Sequence, residues 1–96
     1  MCLKENFEFR LYVSGNTQNS IEAIANLTLF CQTYLKDRHK IEVIDVFKEP
    51  TRTLEDGIFM TPTLTKLFPS PSIRIVGTLS QTHVLIRTLG LSVQTA

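Results

Sequence analysis

The most reactive side chains in this sequence are two thiols, Cys2 and Cys31, and their placement argues against redox chemistry. A dithiol centre needs a Cys-X-X-Cys pair at a helix N-terminus, where the helix field lowers the thiol pKa. These two cysteines form no such pair. Cys31 also falls among apolar residues at helical spacing, where a cysteine acts as a small hydrophobe. The histidines, His39 and His83, each stand alone, with no second His, Cys or acid at a ligand spacing, so no metal site is expected. Asp45 is the one acid inside the apolar run Val43-Ile44-Asp45-Val46. With no nucleophile near it in sequence, it reads as a strand-end carboxylate that accepts from a loop amide rather than as a general base. No glycine-rich phosphate loop occurs, so neither a nucleotide nor any other cofactor is expected. The chain is expected to be a binding protein and not an enzyme.

The elements that would present a binding surface come from a small chain. At 96 residues it is one domain, residues 1–96, and a domain of this size buries only ~60–70% of its unfolded surface. Hydrophobic residues make up 43% and charged residues 20%, an ordinary folded composition. The formal net charge is +1 and the ten Lys and Arg are scattered, which counts against a nucleic-acid partner. No apolar run approaches the ~18 residues of a membrane span. Residues 1–10 lack the apolar core of a signal peptide, so the cytoplasm is the default location.

Periodicity divides the chain into alternating elements. Phe7, Phe9, Leu11 and Val13 alternate with polar residues, a strand of period two that ends at Ser14-Gly15-Asn16. A helix follows, capped by Thr17 or by Asn19 with Glu22, its apolar stripe being Ile21, Ile24, Leu27, Cys31, Tyr34 and Leu35. The segment 41–47 is apolar on both faces, as in the middle of a covered parallel sheet. A weak helix over 51–59 contains Gly57; a strand then runs to Phe68, and Pro69-Ser70-Pro71 turns into a strand over 72–76. A last helix is expected over 81–89, capped by Ser80 and stopped by Gly90. Val84–Leu91 is apolar and β-branched, and suits helix or strand equally. The order βαβαββα, with Thr61-Pro62 opening the second half, is a thioredoxin-like α/β arrangement. In such a fold that X-Pro bond is cis, a state of only ~5–6% of folded X-Pro bonds, so Pro62 is the structural cis-proline candidate. The loop Ser14–Ser20, where redox thiols would sit in this fold, holds no cysteine.

Several stretches, in order, resemble the KaiB family of circadian clock proteins: Leu11-Tyr12-Val13-Ser14-Gly15-Asn16-Thr17, Val43-Ile44-Asp45-Val46, Thr61-Pro62-Thr63-Leu64, Pro69-Ser70-Pro71 and Arg74-Ile75-Val76-Gly77. The resemblance spans roughly residues 7–91. It implies a partner, the hexameric ATPase KaiC, whose phosphorylation cycle such a protein modulates, and a KaiA-like activator captured by the assembly. It also implies a homo-oligomer, tetramer or dimer, and a metamorphic chain. Its residues up to about 46 stay fixed. Those from 47 to 91 switch between the thioredoxin-like form and a family-specific ground state, with Thr88, Leu89 and Gly90 in the switch region. Among positions implied to meet the partner, Lys66 and Arg74 keep a basic residue, whereas Glu42 and Gly57 replace one, as do Glu22 and Ile73. Gln18 stands where the family has a proline. These departures count against the activator-binding role and point to a divergent family member serving a timing or stress role.

Two other readings remain at this level. The first is a stand-alone KaiB-like sensory interaction domain of a histidine-kinase pathway. The second is a thioredoxin-fold enzyme, against which the thiol-free first loop counts. Phe47, Phe59, Leu67 and Phe68 lie near turns and are expected to leave apolar surface exposed for self-association.

Overall fold

The computed structural model describes residues 6–90. The elements are β1 (Phe7–Val13), α1 (Gln18–Tyr34), β2 (His39–Asp45), α2 (Pro50–Glu55), β3 (Thr63–Phe68), β4 (Ile73–Val76) and α3 (Thr82–Thr88). They form one four-stranded sheet in the order β2-β1-β3-β4. β2 runs parallel to β1, with Phe7 opposite His39 and Val13 opposite Asp45. β3 is antiparallel to β1, and β4 is antiparallel to β3. This is the βαβαββα order expected from the sequence.

The sheet separates two cores. Phe7, Phe9, Leu11 and Val13 face α1 and α3, packing with Ala23, Leu27, Phe30, Cys31, Leu64, Leu85 and Leu89. The reverse face holds a much smaller apolar group, Tyr12, Ile44 and Ile58, with Val46 against it. α2 lies on that side, and none of its residues is buried.

Some expectations are corrected and one alternative is decided. β2 is an edge strand, not a middle one. Its two-faced apolarity is real at Ile41 and Ile44, which reach different cores, but Val43 is 45% exposed. The expected stripe of α1 lies on the larger core, with Leu27, Cys31 and Leu35 buried and Ile24 and Tyr34 packed against it, except at its first residue: Ile21 is half exposed, and Ser20, Ala23 and Phe30 are buried instead. The cap is Thr17, whose side chain accepts from the Ser20 amide, so Asn19 already lies inside the helix. The other bounds differ at their ends: α2 stops at Glu55, and Gln81, not Ser80, precedes α3.

The Thr61-Pro62, Phe68-Pro69 and Ser70-Pro71 peptides are all cis. Among the described residues, two other than glycine adopt left-handed backbone, Asp37 (φ 63°) and Leu79 (φ 64°). Asp37 is exposed in the turn after α1, whereas the Leu79 side chain is buried in the larger core. The carbonyl before Leu79, that of Thr78, accepts from Asn26 Nδ2 at 2.7 Å.

Candidate functional site

The face bearing α2 carries a row of charged side chains set by the strand registers. Glu42 on β2 lies opposite Arg10 on β1, Arg10 opposite Thr65 on β3, and Thr65 opposite Arg74 on β4. Side chains at paired positions point to the same face of a sheet, so the four form one line across it. Arg10 Nε donates to Glu42 Oε1 at 3.3 Å, and Arg10 Nη1 to Asp56 Oδ2 at 2.9 Å. The Tyr12 hydroxyl, two residues along β1, donates to the same Asp56 oxygen. Arg52 on α2 forks onto both Glu42 oxygens, at 3.0 and 3.1 Å, and reaches Glu49 at 3.0 Å.

The carboxylates respond to this setting. The hydrogen bond from Tyr12, and after it that from Arg10, holds Asp56 below the usual carboxylate range. Glu42 is lowered chiefly by the hydrogen bond from Arg52. Burial, then the bond to Asp56, pushes the Tyr12 phenol up. Arg74 reaches α2 from the other flank: its Nη2 donates to the Asp56 carbonyl at 2.7 Å and its Nη1 to the Gly57 carbonyl at 3.3 Å. These are carbonyls at the C-terminal end of a helix, where a cation is favoured.

Beyond Gly57 the chain carries a ridge of exposed apolar side chains. Phe59 is 91% exposed and Met60 62% exposed, while Ile58 between them and α2 is buried. The ridge divides two shallow grooves. One, of about 210 Å³, is lined by Ser14, Val46, Phe47, Thr53 and Thr61 together with the ridge. The other, of about 130 Å³, has Gly57, Thr63, Arg74 and Val76 on its far side. Phe47 is 76% exposed beside the first groove. So the residues expected near turns are exposed, but they do not make one patch. Leu67 and Phe68 close β3, with Phe68 opposite Glu8, at the other end of the sheet from Phe47 and Phe59.

The structure divides the partner-binding candidates. Glu42, Gly57 and Arg74 lie on the α2 side. Lys66 pairs with Phe9 and Ile73 on the opposite face, is buried, and has its Nζ 5.9 Å from the Phe7 ring centroid. That is a cation over an aromatic face, with an aliphatic stem packed in the core. Thr88 closes α3, Leu89 is buried with its amide donating to the Leu85 carbonyl, and Gly90 has φ 72°. Asp45 accepts from the Phe47 amide at 2.9 Å, as a strand-end acid should. Residues missed at the sequence level are Arg10, Tyr12, Arg52 and Asp56. The signal for Arg10 was present, since it is the one charge in the centre of the best-patterned strand.

The thiol-free loop before α1 is closed by hydroxyls. Ser14 is bonded to Thr61, the residue before Pro62. The Ser14 amide donates to Ser20 Oγ at 3.0 Å, which also accepts from Thr17 Oγ1 at 2.8 Å. Cys31, buried on α1, has its pKa pushed up to about 12 by burial alone. Among the described residues, no three His, Cys, Asp or Glu side chains come together as a metal set, and no helix is long and apolar enough to cross a membrane.

Comparison with known proteins sets this geometry among relatives. The family model of the KaiB domain matches residues 10–91. The chain is similar to the circadian clock protein KaiB3 of Synechocystis sp. (strain ATCC 27184 / PCC 6803 / Kazusa), 44% identical over 88% of this chain and 80% of the relative. It is also similar to the circadian clock oscillator protein KaiB of Picosynechococcus sp. (strain ATCC 27264 / PCC 7002 / PR-6), 39% identical over 93% and 86%. Among solved structures, the N-terminal domain of Synechococcus elongatus SasA superposes with a TM-score of 0.74 at 18% identity, covering 94% of this chain and 89% of that one. The Drosophila thioredoxin Deadhead gives 0.70 at 15% identity, over 91% and 81%. These structural likenesses establish the thioredoxin-like fold, and the sequence matches, which run over nearly the whole chain, establish that it belongs to the KaiB family.

Proposed function

We propose that this chain is a non-catalytic regulator that docks on a KaiC-like hexameric ATPase and modulates its phosphorylation cycle, in circadian or related timing. Membership of the KaiB family supports the partner class. One structural observation carries the docking surface: Phe59, almost fully in solvent, and Met60, more than half exposed, stand between two grooves, with Phe47 on one flank and Val76 and Arg74 on the other. Exposed apolar clusters with a polar rim mark protein interfaces. Glu42, Arg10 and Arg52 supply that rim. In this reading Glu42, Gly57 and Arg74 border the contact, and Lys66 stands outside it on the other face of the sheet.

The chain is also proposed to self-associate, as a tetramer or dimer, and to hold a second packing of residues 47–91 in that state. A thin second core and an α2 without a buried residue support that division of the chain. Capture of a KaiA-like activator would be a further property of the assembly with the ATPase.

The test is calorimetric titration of a KaiC-like ATPase from the same source. Truncating an interface aromatic at a hot spot costs ~2 kcal/mol or more, so Phe59→Ala is expected to weaken binding by at least about thirtyfold. Lys66→Met is expected to leave the affinity within about threefold. Equal affinity for Phe59→Ala and the parent would remove the ridge from the interface. Capture of a histidine kinase instead of the ATPase in a pull-down would favour the sensory-domain reading.

A further inference from the structure

α2 has no buried residue, yet it precedes the segment that carries Phe59, the most exposed large apolar side chain among the described residues, and the exposed Met60. Burial of α2 itself therefore does not hold this region, and polar contacts converge on Asp56, the residue that caps its C-terminus. Asp56 is bonded on both of its chemical ends. Its carboxylate accepts from Arg10 and Tyr12 of β1, and its carbonyl accepts from Arg74 of β4, which also takes the next carbonyl, that of Gly57. The strands flanking β3 thus grip one residue from two sides. The segment that follows then turns through Gly57 at φ 66°, and Ile58 drops into the smaller core. Phe59 and Met60 come next.

Resting on the docking role given above, we propose that Asp56, with Arg10, Tyr12 and Arg74 as its clasp, is the positioning residue of the docking ridge. It fixes the path of residues 57–60 so that Phe59 and Met60 are presented ready-ordered to the partner. Ordering a loop before binding removes an entropic cost from association. In this arrangement Arg74 acts through backbone carbonyls of its own chain and not as a charge offered to the partner. That makes its role one that lysine cannot fill, because an ammonium lacks the planar fork that spans two carbonyls.

Two measurements test this. The first is hydrogen exchange on the free chain. The amides of Gly57 and Ile58 donate to the Leu54 and Thr53 carbonyls at 3.1 Å, so their protection reports whether the segment is held. Asp56→Ala and Arg74→Ala are each expected to speed exchange there by about tenfold or more, with amides of β1 unchanged. Should Asp56→Ala fail to fold, Arg74→Ala carries the same reading, since it leaves the Arg10–Asp56–Tyr12 bonds in place. Unchanged exchange at Gly57 and Ile58 in Arg74→Ala overturns the proposal. The second measurement is ATPase affinity of Arg74→Lys. The same loss as in Arg74→Ala, about fivefold or more, is expected, and recovery to the parent affinity would show a charge role and overturn the proposal. A parent chain that does not bind the ATPase at all would defeat the docking role alone, because the exchange experiment needs no partner.

Discussion

At the scale of single residues, burial and partners decide chemistry that side-chain type leaves open. Cys31 has a reactive atom in an unreactive place. Its pKa of about 12 keeps it a thiol at neutral pH, and the thiolate is the nucleophile. Cys31 in the folded chain is therefore expected to resist alkylation by iodoacetamide over hours and to react once denaturant is added, followed by mass spectrometry. Rapid modification of the native chain at Cys31 would contradict the burial described. Tyr12 has the reverse character: a buried ring whose hydroxyl has one charged acceptor. Replacing it by Phe keeps the ring in place and removes the bond to Asp56. A hydrogen bond to a charged group contributes ~1.5–3 kcal/mol, and partial exposure of Asp56 brings the expected loss to about 1 kcal/mol, measured by urea denaturation.

Asp56 and Glu42 also give stability a pH dependence of defined sign. Both carboxyl groups titrate lower in the folded chain than unfolded. Their contribution is therefore fully present above the unfolded values of ~4, and is lost as pH falls through the lower folded values. Stability is expected to decline on acidification below about pH 4, with a shallower slope in Asp56→Asn. Denaturation midpoints from pH 7 to pH 3 measure this, and identical slopes in the two proteins would refute it.

At the scale of elements, the first strand was fully legible because its period-two pattern has one solution. Phe7, Phe9, Leu11 and Val13 all lie in the larger core. The helix α1 was legible, and its apolar stripe from Ile24 to Leu35 faces the larger core, but its first turn was misjudged. Hydropathy selects Ile21 over Ser20, yet Ser20 is the buried one. Its hydroxyl is satisfied by Thr17 and by the Ser14 amide, and a satisfied small polar residue can face the core at little cost. The difference is measurable. Leu27→Ala is expected to cost about 3 kcal/mol and Ile21→Ala less than about 1 kcal/mol. The edge position of β2 was hidden for a related reason: helices on both sides of the sheet give an edge strand two apolar faces, as they do a central one. The charged row was hidden because Arg10 and Asp56 meet only through the register of strands and the return of α2. The exposed Phe47 and Phe59, by contrast, were legible as apolar residues beside turns.

At the scale of the whole molecule, the two faces of the sheet are unequal. One has a continuous core of helices and strands, the other a cluster of three buried apolar residues and a polar clasp. If the chain has the second packing proposed for it, the reorganised part should include the weakly buried half. The prediction is two sets of backbone NMR resonances whose ratio changes with concentration, with differing secondary shifts after about residue 47 and common ones before it. Substitution of Leu89, a buried residue at the end of α3, should shift that ratio. One resonance set at all concentrations would leave a single thioredoxin-like state. Light scattering at tens of micromolar that shows only monomer would likewise remove the self-association on which the second packing depends.

The left-handed residues Asp37 and Leu79 offer the protein engineer a matched pair. Both sit at nearly the same φ, where an L side chain is strained by ~1–2 kcal/mol and glycine is not. At exposed Asp37 the strain is the larger consideration, and Asp37→Gly is expected to raise stability by about 0.5 kcal/mol once the freer unfolded chain is counted. At Leu79 the same change also strips an apolar side chain from the core, a loss of ~2–5 kcal/mol that outweighs the relief. Glycine scanning by backbone angle alone would rank the two positions as equals. Thermal melts of the two variants should move in opposite directions.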